Sequence, residues 1–384
     1  MGEYRWIIYC ISILLGTSCN KPEQAVHTSA FSGIDSLLLA EYKADRFHGS
    51  VMIAEQDSTL FTRHYGLASR AWNISIDEDT RFDIASVNKS FIAALTLLAV
   101  EEGRLDLDSK LVDLLKGYDY AGAFHPDINI HQMLCHTSGL PDYDAVPEKL
   151  QVNGFAPFKR LHFENHEYIH FISQLEAVST PNRKFYYSNF AYHLLCIVLE
   201  DVYDDSFENI LQKKICEPLQ LNHTFSSVDN QAVFQEVAEG YDYSESTGQW
   251  VRNNFIDLTL GRRIFSSTRD LYRWGRAMSG SSILSDTSLK LMQTNHLQNI
   301  SNDYSYGYGW VVFERGDQYG MGNLGIDLPY IIHGGSTEGY KSMLVNIDNG
   351  AYIISLLANT GSRVNEMKLI EQIVKQLMNK ENEP

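Results

Sequence analysis

At 384 residues the chain can bury a sizeable core, as one large domain or two small ones. Hydrophobic residues make up 44% and charged residues 21%, which sets it apart from disordered and fibrous chains. The formal net charge of −17 argues against a nucleic-acid partner, since gripping phosphates needs clustered Lys and Arg, and it disfavours adhesion of the folded surface to anionic lipid. No internal repeat, low-complexity tract or linker-bounded second domain is evident.

In chain order, the first 19 residues stand apart. Arg5 precedes an apolar run over residues 6–15, too short to span a bilayer and of the length of a signal-peptide core. Gly16-Thr17-Ser18-Cys19 then resembles a bacterial lipobox, which implies lipidation at Cys19; the alternative is a plain cleaved signal with Cys19 incidental. Polar residues 20–30 read as a tether, and residues 31–384 as one domain. Export to a bacterial cell envelope, with membrane contact only through an N-terminal lipid, is the expectation. Besides Cys10 and Cys19, three cysteines remain: Cys135, Cys196 and Cys216. An odd number cannot form a full disulfide framework, and Cys196 sits in an apolar run as a small core residue.

Strand-like runs at 50–55 and 59–65 flank a turn at 56–58. A matching pair at 342–347 and 351–357 flanks Asp348-Asn349-Gly350, a strong tight-turn sequence. Between these ends the chain reads mainly as helices and loops. Helices are predicted over 90–102 (stopped by Gly103), 190–202 and 271–278, the last preceded by Ser267 and Asp270 in capping-box spacing. Residues 364–377 place Val364, Met367, Ile370, Ile373, Val374 and Leu377 on one helical face. Pattern alone supports an α+β class.

Three polar clusters carry the chemistry. Ser86 opens an apolar helix and Lys89 follows one turn later on the same face. A serine hydroxyl becomes a nucleophile when a neighbouring base removes its proton, and lysine can serve if its pKa is lowered. Taken alone, the pair reads sooner as a helix cap and an exposed lysine. Tyr187-Ser188-Asn189 lies in an aromatic stretch before a helix, where Asn189 alone would read as a cap. His333-Gly334-Gly335-Ser336 follows a strand-like run, and glycines there let another backbone or a ligand approach closely.

In order and spacing, these clusters resemble the S-x-x-K, Y-x-N and K/H-x-G motifs of the serine β-lactamase and penicillin-binding-protein family, in its class C β-lactamase and DD-peptidase branch. His136-Thr137-Ser138-Gly139-Leu140-Pro141, residues 265–271 and residues 306–310 extend the likeness over roughly residues 34–361. The resemblance implies an antiparallel sheet built from both chain ends with a mainly helical region inserted between. It implies acyl transfer through a covalent Ser86 ester, without a cofactor, on an ester, amide or peptide. Lys89 and Tyr187 would act as a coupled base, Lys89 favouring the Tyr187 anion. Asn189 would orient Lys89 and hold substrate, and His333 would assist anchoring or proton transfer. The N–H groups of Ser86 and Ser336, beside Gly335, would hold the oxyanion.

One departure bears on substrate. Class C β-lactamases usually carry Lys-Thr-Gly where this chain has His333-Gly334-Gly335, so the anchor for a β-lactam carboxylate is weakened. A β-lactamase proper and a non-catalytic binding protein of the same fold remain as alternatives. Two other patterns are set aside. Gly320-Met321-Gly322-Asn323-Leu324-Gly325 matches G-x-G-x-x-G by letter but does not open a helix. His162, His166 and His170 recur at helical spacing as metal-ligand candidates, among polar neighbours that suit a solvated helix face.

Overall fold

The computed structural model describes residues 31–147, 163–227, 233–253 and 262–380. Its frame is a six-stranded antiparallel sheet: β1 (Gly49–Glu55), β2 (Ser58–Tyr65), β3 (Val311–Phe313), β4 (Tyr330–Thr337), β5 (Tyr340–Ile347) and β6 (Tyr352–Ala358). The spatial order is β3-β4-β5-β6-β1-β2. Both expected hairpins form. Asp348, Asn349 and Gly350 all take positive φ at the β5–β6 turn, as that turn sequence favours. The two chain ends meet where β1 pairs with β6, from Gly49 opposite Ala358 to Glu55 opposite Tyr352.

The central strands are apolar at nearly every position because both sheet faces are covered. Along β5 and β6, alternate side chains turn to opposite sides. Val345 and Ile354 pack towards α1 (Ser32–Lys43) and α5 (Glu366–Lys380). Leu344, Ile353 and Leu357 join the other core, with α2 (Asn88–Glu101), α3 (Asn189–Tyr203) and α4 (Thr268–Ala277). Helix α2 is buried on all sides from Asn88 to Ala99, and its Phe91 stacks on Trp274 of α4 with ring centroids 4.2 Å apart.

One expectation needs correction. Ser267 caps α4 by accepting the Asp270 N–H, but the capping box does not close. The short Asp270 carboxylate instead accepts the His223 N–H and the Thr224 hydroxyl. The alternative reading of an exposed Lys89 fails, since Lys89 is 3% exposed, as a base with a lowered pKa requires. The expected signal and tether, Cys10, Cys19 and His162 lie outside the described residues. His166 and His170 are exposed on the helix Asn165–Ser173. Among the described residues, no group of three or more His, Cys, Asp or Glu is placed to hold a metal ion, and no helix is long and apolar enough to cross a membrane. Gly320 to Gly325 lie in the loop between β3 and β4, with no helix following.

Candidate active site

Ser86 sits in a single 3-10 turn, Ala85–Val87, that leads directly into α2. The turn is tied from three sides. The Asp83 carboxylate accepts the Ala85 N–H at 2.7 Å and is paired with the buried Arg263. The Ile84 N–H bonds the Ile264 carbonyl at 3.0 Å, and the Ser342 hydroxyl of β5 donates to the Ile84 carbonyl at 2.6 Å. Ala85 is held at φ 45°, a conformation a non-glycine residue adopts at a cost that such ties offset.

Strand β4 passes close beside this turn, and Gly335 makes that possible. A Cβ there would lie 2.4 Å from the Ile84 carbonyl oxygen and 3.0 Å from the Ala85 Cβ. Ser86 and Ser336 therefore face one polar pocket of about 150 Å³, lined also by Asp83, Asn88, Lys89, Asn189 and Arg263.

Lys89 reaches this pocket from the first turn of α2. Its Nζ donates to the Ser86 Oγ at 3.3 Å and to the Asn189 Oδ1 at 2.7 Å. The Tyr187 and Tyr192 rings wall it in, their centroids 4.9 and 5.6 Å from Nζ. Burial pulls the Lys89 ammonium down to about 8, against the opposing pull of the Asp142 charge. Burial raises the Tyr187 phenol well above its ordinary value and the Asp142 charge adds to the rise, with only the neighbouring Ser86 hydroxyl pulling it down. The expected Tyr187 anion is thus disfavoured, and Lys89 loses its proton more readily than Tyr187.

The second motif is built around His136. The His136 Nδ1 accepts the Ser188 N–H at 3.1 Å, and the His136 carbonyl accepts the Tyr186 N–H at 2.9 Å. Its ring lies among those of Tyr187, Tyr192 and Tyr306. Ser188, rather than Asn189, caps α3; its hydroxyl accepts the Ala191 N–H and donates to the Pro141 carbonyl. The stretch from His136 to Pro141 thereby fixes where Tyr187 and Asn189 stand.

His333 is placed differently from the rest. Its Nδ1 donates to the Gly334 carbonyl at 2.7 Å and its Nε2 accepts the Tyr306 hydroxyl at 3.0 Å. Burial, reinforced by the Lys89 charge, lowers it to about 3, so the ring is neutral. Like Tyr187 it does not line the pocket, and the two rings lie with centroids 6.4 Å apart. The structure thus brings Ser86, Lys89, Tyr187, Asn189, Gly335 and Ser336 together, with the His333 ring turned to Tyr306. Asp83, Asp142 and Arg263 were not singled out from the sequence. Asp142 had a signal, an acid directly after the His136–Pro141 stretch; the Asp83–Arg263 pair had none. Burial raises the thiols of Cys135, Cys196 and Cys216, the first to about 11 and the others to about 12, so none is poised as a nucleophile.

Fold and site together define a serine hydrolase of the β-lactamase and penicillin-binding-protein type. The chain belongs to the Beta-lactamase family, whose model matches residues 37–377. It is 26% identical over 332 residues to penicillin-binding protein 4* of Bacillus subtilis (strain 168), covering 81% of this chain and 68% of that protein. A penicillin-binding protein structure from Bacillus halodurans superposes with a TM-score of 0.74 at 22% identity, covering 89% of this chain and 98% of that one. A D-stereospecific amidohydrolase from Streptomyces sp. gives 0.72 at 22% identity, covering 88% and 97%.

Proposed function

We propose that the protein is an exported serine hydrolase that cleaves an ester, amide or peptide through an acyl-enzyme on Ser86. The observation that carries this reading is Lys89, buried with a lowered pKa and its Nζ 3.3 Å from the Ser86 hydroxyl. Neutral Lys89 takes the Ser86 proton as Oγ attacks the carbonyl carbon. The N–H groups of Ser86 and Ser336 stabilise the oxyanion. As the C–O or C–N bond breaks, the proton passes from Lys89 to the leaving group, the neutral Tyr187 hydroxyl relaying it. Water then adds to the Ser86 ester by the same route, releasing the acid and restoring Ser86.

The substrate is one that needs no carboxylate anchor. The Arg263 guanidinium is engaged by Asp83, and His333 is neutral and faces Tyr306. The likeness to a D-stereospecific amidohydrolase supports counting amides among the substrates. Attachment to the cell envelope through lipidated Cys19 belongs to the same proposal and rests on the sequence alone.

Intact mass after exposure to penicillin, a cephalosporin and short-chain nitrophenyl esters, with Ser86→Ala alongside, tests the reading. An adduct or turnover that disappears in Ser86→Ala is expected, with esters the most reactive. Efficient cephalosporin hydrolysis would make the protein a β-lactamase proper. No adduct and no turnover with any reagent would favour a binding protein.

A further inference from the structure

Asn189 can steer Lys89 only if its own amide is held one way round. The two ends of a carboxamide differ: oxygen accepts, nitrogen donates. Turned over, the amide would present N–H groups to the ammonium and lose the 2.7 Å bond. The residue that prevents this is Asp142, directly after Pro141. One of its oxygens accepts the Asn189 backbone N–H at 3.0 Å, and the other accepts the Asn189 Nδ2–H at 3.0 Å. The backbone donor is the first N–H of α3, which has no partner within the helix. The same carboxylate therefore fixes the helix end and the amide that projects from it. Pro141, its neighbour, is in turn tied to Ser188.

The charges around this chain of contacts are few. Lys89 is faced by Tyr187 and Tyr192, by His136 and His333, by the Cys196 thiol and by Asp142. The two histidines are kept neutral by burial, with the Lys89 charge opposing protonation of each, and the tyrosines and the thiol are uncharged. Asp142 itself faces Asn189, Tyr143 and the Tyr186 hydroxyl, which is bonded to the exposed Asp144. Burial raises the Asp142 carboxyl to about 6, so above that pH it is the negative charge that faces the buried ammonium across one intervening amide.

We propose that Asp142 is a positioning residue for the nucleophile's base: it locks the Asn189 amide towards Lys89 and, through its charge, sets the pH at which Lys89 becomes able to accept the Ser86 proton. The assignment rests on the reading of Ser86 as the acylated residue. Losing the negative charge removes what favours the ammonium, so the pH at which Lys89 deprotonates moves down. Losing the lock lets the amide turn and slows acylation.

The test is the rate of Ser86 modification by a fluorophosphonate probe, followed by intact mass from pH 5 to 10, in wild type, Asp142→Asn and Asp142→Glu. For Asp142→Asn the limiting rate is expected to fall about tenfold, as for loss of a hydrogen bond to a charged group, and the midpoint of the rise to move down by about one pH unit. Asp142→Glu keeps the charge on a longer arm, so its rate should fall while its midpoint stays near wild type. A midpoint that does not move in Asp142→Asn, whatever the rate, overturns the proposal, as does a midpoint that moves equally in Asp142→Glu. If wild type fails to react, the acyl-enzyme reading is at fault. A 15N-lysine NMR titration of Lys89 in Ser86→Ala, assigned with Lys89→Gln, then decides this proposal separately. A lower Lys89 midpoint on adding Asp142→Asn supports it, and an unmoved one overturns it.

Discussion

Two buried cations in this molecule meet opposite fates. Arg262 is gripped by Glu200 through Nε at 3.0 Å and Nη2 at 2.6 Å, with Asn165 and His193 each accepting one more of its N–H groups. Burial alone would lower its pKa, but the bonds to Glu200 and the charge behind them raise it, and the pair is a fixed tie between α3 and the strand that starts at Arg263. Lys89 is buried at least as deeply, yet its contacts are a hydroxyl and an amide oxygen, and its acid partner stands one residue further off. Burial wins there. Of these two, the cation with a carboxylate in contact holds its proton more firmly, and the one whose carboxylate is set back behind an amide holds it less firmly.

The comparison can be broken most directly at Lys89. Lys89→Ala should lower the rate of Ser86 acylation about 100- to 10,000-fold, the span for loss of a positioned general base; nitrophenyl ester kinetics would check it, and a loss of only a few-fold would reassign the base. Glu200→Ala should do the reverse. It strands Arg262 and costs about 3–5 kcal/mol of stability by urea denaturation, while protein that remains folded keeps its activity.

The pH dependence of stability sharpens the contrast. The folded Lys89 titrates near 8 and the unfolded one near its ordinary 10.5. Between those values the unfolded chain binds more protons, so Lys89 makes stability rise with pH. Below about 8 its full destabilising effect is present. Lys89→Met should lack that rise, seen as a smaller gain in stability from pH 8 to 10 than in wild type. The smallest effect is expected at His333. Its neutral ring bonds Tyr306 and Gly334, so His333→Asn should change kcat/KM only a few-fold, and the wild-type profile should show no inflection near 6.5 from this residue.

Much of this arrangement could be read from the sequence, for identifiable reasons. The second hairpin carried its own turn chemistry in Asp348-Asn349-Gly350, and the last helix its own apolar stripe. The three motifs announced Ser86, Lys89, Tyr187 and Asn189 because local spacing suffices to place each within its element. What could not be read depends on partners remote in sequence. Nothing near Arg262 and Arg263 says that the first meets Glu200 and the second Asp83. The direction of the His333 ring follows from Tyr306, which approaches it from another segment. The state of Tyr187 follows from burial, which no motif encodes.

The seam where the chain ends meet has a consequence for assembly. The His48 N–H bonds the Thr360 hydroxyl 312 positions away, and β4, which closes the pocket beside Ser86, is synthesised long after the nucleophile. A frame of such distant pairings is slow to form and forms late, once the last strands exist. Until then Ser86 has no opposite wall, since Ser336 lies on that strand. The pocket around Ser86 is therefore complete only when the last strands have folded, so a growing chain carries Ser86 without its surroundings.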